Sequence, residues 1–208
     1  MTRIIITTLS IFFLISCGKN KEKEEPGLLN VIEGVSDLNQ IAKEAEKIEE
    51  ENDQLIAATP ISNENMKKNL PETILGYPRT KFSVGNQFMP DVSMGEAEYE
   101  SENGAFISLS ILDGAGETGS AMVTLARLGF ARDFEEQTDR GYRKSTTIKG
   151  YKAVEEVEKD PYDNRETSKI DLMVANRFLI SLEGDATIKQ LREAVGEVNL
   201  EAFENLAE

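Results

Sequence analysis

Ser168-Lys169-Ile170-Asp171-Leu172-Met173-Val174, then Ala175-Asn176, then Arg177-Phe178-Leu179-Ile180-Ser181-Leu182-Glu183: every second residue of the two longer runs is large and apolar. Ile170, Leu172 and Val174 share one side of the first run, and Phe178, Ile180 and Leu182 share one side of the second. Period-two alternation is the mark of a strand with one buried and one wet face, and a two-residue break between such runs predicts a hairpin. A sheet wet on one face is antiparallel, because parallel strands are covered on both sides and are apolar throughout.

Working outward, Arg143–Ile148 and Tyr151–Glu158 read as two further strands, with Lys149-Gly150 and the stretch Asp160-Pro161-Tyr162-Asp163-Asn164 as turns. Gly184-Asp185 ends this meander. Thr187 and Gln190 have the spacing of a capping box for a helix that turns Ile188, Leu191, Val195 and Val198 inward. Leu200, Phe203 and Leu206 predict a last short helix. Upstream, Ile107, Leu109 and Ile111 alternate with Ser108 and Ser110 in a strand over Ala105–Leu112, and weaker strands are expected near Phe82–Val84 and Glu96–Glu102. A loop from Gly114 to Gly119 precedes a helix with Met122, Leu125, Ala126, Gly129 and Phe130 on one face. The order predicts an α+β fold over residues 71–208, an antiparallel sheet with helices packed on one face.

Before the domain, Thr59-Pro60 and Ser62 to Asn69 predict a linker over residues 58–70. Leu38, Ile41, Ala45, Ile48, Asn52 and Leu55 recur at heptad spacing and predict an acidic amphipathic helix over residues 37–57. Glu44, Glu49 and Glu51 flank that stripe, so two parallel copies would set acid against acid. The helix is therefore expected to pack on its own domain or to act as a spacer, and the protein to be a monomer.

The N-terminus carries one charge, Arg3, and then an apolar and hydroxyl-bearing run from Ile4 to Ile15. That run is shorter than the roughly 20 apolar residues a spanning helix needs, and its charged start and small-residue end are those of a cleaved export signal. Leu14-Ile15-Ser16-Cys17, at the end of the run, resembles the lipobox of bacterial lipoproteins. The resemblance implies a signal peptide at residues 1–16, lipidation and palmitate attachment at Cys17, and membrane attachment through that anchor; the family carries three acyl chains. In lipoproteins of the enteric type an aspartate after the cysteine signals inner-membrane retention. Gly18 stands there instead, which implies the outer membrane. Lys19 to Glu25 also resembles the export tract of Bacteroidetes-type surface lipoproteins, so either the periplasmic or the cell-surface face is open. Residues 17–36 are the expected lipid-anchored tether.

Composition removes whole reaction classes. The chain has 208 residues, no histidine, no tryptophan and one cysteine, with a formal net charge of −15. Removal of residues 1–16 takes away only Arg3 and leaves −16, a field that does not attract nucleic acid. Ser-His-Asp and Cys-His catalysis need the missing histidine, and a lipidated Cys17 is neither nucleophile nor metal ligand. With one cysteine there is no intrachain disulfide, so the fold rests on its core.

Gly114-Ala115-Gly116-Glu117-Thr118-Gly119 spells G-x-G-x-x-G between a strand and a helix, the spacing that lets a dinucleotide pyrophosphate approach a helix N-terminus. Glu117 would repel phosphate, however, and the preceding strand alternates with serines, so a flexible turn is expected and no cofactor. Asp160 to Asn164, and Asp113 with Glu117, gather oxygen ligands but match no calcium loop, so no metal site is assigned. Arg127, Arg132, Arg140, Arg143, Lys144, Lys149 and Lys152 form a basic region that could receive an anion or the acidic helix. Scattered ion pairs are the expectation.

No residue is assigned a catalytic role. The first functional reading is a lipid-anchored envelope protein with a non-catalytic binding or interaction domain. The alternatives are a small-molecule or lipid-binding domain with an apolar pocket, and a carboxylate-dependent hydrolase.

Overall fold

The computed structural model describes residues 49–86, 88–160, 162 and 165–207. Cys17, the expected export signal and tether, and residues 37–48 of the expected acidic helix lie outside the described residues, as do Pro161, Asp163 and Asn164. The described residues form one compact unit.

The five helices and nine strands described give the α+β architecture that the alternation predicts. The hairpin Ser168–Glu183 becomes β8 (Glu166–Val174) and β9 (Phe178–Gly184), paired so that Ile170 faces Leu182 and Leu172 faces Ile180. Ala175 and Asn176 both have φ near +50°, the left-handed pair of a tight hairpin turn. Lys149 and Gly150, with φ +51° and +90°, make a second positive-φ turn between β6 (Gly141–Ile148) and β7 (Tyr151–Lys159). On the other side β9 pairs with β4 (Phe106–Asp113), then come β3 (Met94–Glu100), β2 (Tyr77–Val84) and β1 (Thr73–Ile74). β5 (Glu135–Gln137) closes the far edge. Every pairing is antiparallel.

Three helices cover the apolar face. These are α2 (Asn63–Lys68), α4 (Ile188–Ala194) and α5 (Leu200–Ala207). They share one buried cluster with Ile107, Leu109, Ile111, Ile170, Leu172, Ile180 and Leu182. The predicted capping box is present: Thr187 accepts from the Gln190 backbone, and the Gln190 side chain accepts from the Thr187 backbone. Beyond those helices, α1 (described over residues 49–57) and α3 (Gly116–Phe130) belong to a second cluster with Leu112, Met173 and Leu179. Those three strand residues have the opposite phase to Ile111, Leu172 and Ile180, so this cluster lies on the other side of the sheet, and the helices pack on both faces and not on one as expected.

Several sequence expectations need correction. Residues 63–68, read as linker, form α2, capped by Ser62 and seated through the buried Met66. A single buried residue per turn gives too little periodicity to show in so short a helix. The loop Gly114–Gly119 is shorter than expected, because α3 begins at Gly116. Of the expected inward face of α3, Met122, Ala126 and Phe130 pack on the second cluster, Leu125 is 70% exposed, and Gly119, Ser120 and Val123 are the buried positions. Tyr99 of β3 is fully buried, its hydroxyl donates to the Pro71 carbonyl at 2.9 Å, and burial pushes its pKa up to about 12.

Candidate functional site

Asp113 ends β4 in the inward phase of Ile111 and has no exposed surface. A carboxylate that deep must be paired and hydrogen-bonded to remain charged. Arg177, at the start of β9's hairpin arm, donates from Nε to Oδ1 at 2.7 Å and from Nη2 to Oδ2 at 2.9 Å. Backbone N–H groups complete the shell, Ala115 to Oδ1 at 3.0 Å and Ile61 to Oδ2 at 2.8 Å. The same guanidinium donates to the carbonyls of Leu206 and Thr59, each at 3.1 Å, and stacks 5.0 Å from the Phe178 ring. One ion pair thus joins the α1–α2 connection, the α3 entry, the β8–β9 turn and the end of α5. Asp113 is spent on this junction and does not form a calcium pair with Glu117, which is exposed on α3. Among the described residues no group of three or more His, Cys, Asp or Glu could hold a metal ion.

The glycines of the G-x-G-x-x-G motif serve the same junction. A Cβ on Gly114 would lie 2.8 Å from the Arg177 carbonyl oxygen, and one on Gly119 would lie 2.7 Å from that of Asp113. Gly116 has φ +81°, a conformation other residues rarely adopt. The turn is a close packing of helix on strand, not the flexible connection expected.

A second buried acid, Glu155, is 1% exposed on β7. Arg192 of α4 binds its Oε2 through both Nε, at 3.0 Å, and Nη2. Lys144 lies 3.3 Å from Oε1, to which the Tyr142 hydroxyl also donates at 3.3 Å. Burial, followed by the Glu155 charge, pushes the Tyr142 phenol upward. The set fastens α4 to the sheet.

No protein-family model matches the chain, and no match to it was found among curated proteins or solved structures.

The basic region is divided. Arg143 pairs with Glu156 at 3.3 Å and Lys144 with Glu155, the scattered ion pairs expected of it. Arg127 instead meets the acidic helix: its Nη1 lies 3.3 Å from Glu51 of α1, and its Nη2 donates to the Asn176 carbonyl. One turn along, the Thr124 hydroxyl donates to Asn52 at 2.9 Å, and Leu55 is buried among Val123 and its neighbours. Between these elements lies a cleft of about 230 Å³ lined by Glu51, Gln54, Arg127, Asn176 and Arg177. The sequence supplied Arg127 as one of seven basic residues; the pairing of α1 with α3 that singles it out has no local signature.

Proposed function

We propose that this chain is a lipid-anchored cell-envelope protein of the outer membrane, whose domain binds or interacts and does not catalyse. The anchoring half rests on one observation, Leu14-Ile15-Ser16-Cys17 at the end of a short apolar run. The non-catalytic half is supported by the absence of histidine and by the commitment of both deeply buried acids, Asp113 and Glu155, to ion pairs within the fold. A hydrolytic carboxylate needs a cleft and a substrate, and neither acid opens onto one. The space between the sheet and α2, α4 and α5 is filled by Leu109, Ile180, Leu182, Leu191 and Phe203, which favours contact through the surface over a ligand held in an apolar interior. A net charge of −16 after Cys17 directs the protein away from nucleic acid.

The experiment is Cys17→Ser in the full chain, followed by membrane fractionation and labelling with radioactive palmitate. Loss of label and release from the membrane fraction are expected. Unchanged labelling and fractionation would exclude the lipid anchor.

A further inference from the structure

We propose that the cleft between α1, α3, the β8–β9 turn and the end of α5 is a binding site for a small oxyanion, a carboxylate or an inorganic phosphate, held by the Arg127 guanidinium. The inference rests on reading the domain as a binding module and is independent of the anchor at Cys17.

Arg127 is the only one of the two guanidiniums lining the cleft with donors to spare. Arg177 places Nε and Nη2 on Asp113 and the rest of its fork on carbonyls. The Arg127 side chain is 13% exposed, and its Nε and Nη1 are buried with no hydrogen-bond acceptor among the described residues. Only Nη2 is used, on Asn176. Glu51 is near enough to balance part of the charge, but no Nη1–H is aligned on its carboxylate. A buried charged donor without an acceptor is costly, and burial accordingly depresses the Arg127 pKa while Glu51 opposes the shift. Arginine stays protonated regardless.

Geometry selects the ligand class. A guanidinium fork matches the paired oxygens of a carboxylate or phosphate. A cleft of about 230 Å³ exceeds the roughly 30 Å³ share of one water, so it admits a group of several heavy atoms. The lining is polar at the level of Arg127: Gln54 and Asn176 add amide groups, and the Asn176 amide donates to Glu51 at 3.4 Å. Glu51 is therefore the group an incoming anion must displace, and it sets the affinity.

The test uses the full chain in detergent, titrated with acetate or inorganic phosphate against chloride at constant ionic strength. The Arg127 Nε–H and Asn176 side-chain amide signals are followed by ¹⁵N–¹H NMR. A saturable shift with one or both anions is expected, acetate alone marking a carboxylate site and phosphate alone a phosphate site. Glu51→Gln should tighten binding, and Arg127→Gln should weaken it by about tenfold or more, the loss of one charge-assisted hydrogen bond. Arg127→Lys, which keeps the charge but lacks Nε, serves if the glutamine variant does not fold, and should weaken binding likewise. No saturable shift with either anion, or equal binding by the Arg127 variant that folds, would overturn the site. Either result leaves Cys17→Ser to decide the anchor separately.

Discussion

Asp113 and Arg177 stand 64 positions apart in the chain and meet with almost no solvent between them, 0% and 8% side-chain exposure. Such a pair gives little net stability over apolar residues of the same shape, yet breaking it leaves a charge buried without a partner. Asp113→Asn should therefore destabilise the domain by about 3–5 kcal/mol, read as a lower urea midpoint at unchanged slope. A double change, Asp113→Asn with Arg177→Met, should recover part of that loss, because the orphaned cation is gone. An equal loss in single and double variants would mean that the Thr59 and Leu206 contacts, and not the charge pair, hold the junction. The sequence carried half a sign of this: Asp113 continues the inward phase of Ile107, Leu109 and Ile111, where a surface acid has no reason to be. Nothing local pointed to Arg177.

Elements with a strong period were legible, and those without one were not. β8 and β9 alternate clearly, and the alternation phase is the buried phase, save at the end of β8, where Met173 is also buried under α1 and α3. Leu172→Ala should cost about 2–5 kcal/mol, since Leu172 has no exposed surface and the cavity cannot fully collapse. Lys169, on the opposite face with its ammonium 3.4 Å from Asp171, should cost under about 0.5 kcal/mol as alanine. Equal effects in denaturant melts would reverse the strand phase. In α3 the expected Met122, Ala126 and Phe130 do pack against the cluster around Val123, but the most buried positions include Gly119 and Ser120, and Leu125 and Leu128 point outward at 70% and 63% exposure. Hydrophobic periodicity fails where close backbone approach, and not side-chain bulk, seats a helix. β1 and β5, with two and three residues, are too short to show a period at all.

At the scale of the molecule, β4 pairs with β9 across 77 positions, Ile107 opposite Gly184, after α3 has carried the chain from mid-sheet to the far edge. Strand order of this kind has no local sequence signature, because it is set by long-range pairing. The same scale decides what the acidic helix is for. Its described part spends Asn52 on Thr124 and Leu55 on the cluster around Val123, so these positions of the heptad stripe already have an intramolecular partner, and the flanking Glu51 lies against Arg127. A second copy would have to displace α3 to use them. It would also bring together two chains of net charge −16, a repulsion screened only beyond about 8–10 Å in ordinary salt. The chain beginning after Cys17 should accordingly sediment as a monomer at micromolar concentration, with or without residues 37–57. Deleting those residues should instead lower stability by about 2–4 kcal/mol, the burial of Leu55 plus one hydrogen bond, and shift the thermal midpoint downward. Sedimentation equilibrium and melts on the two chains separate the outcomes. A dimer that dissociates only on deletion, with the melt unchanged, would make the helix an assembly device and not part of the domain.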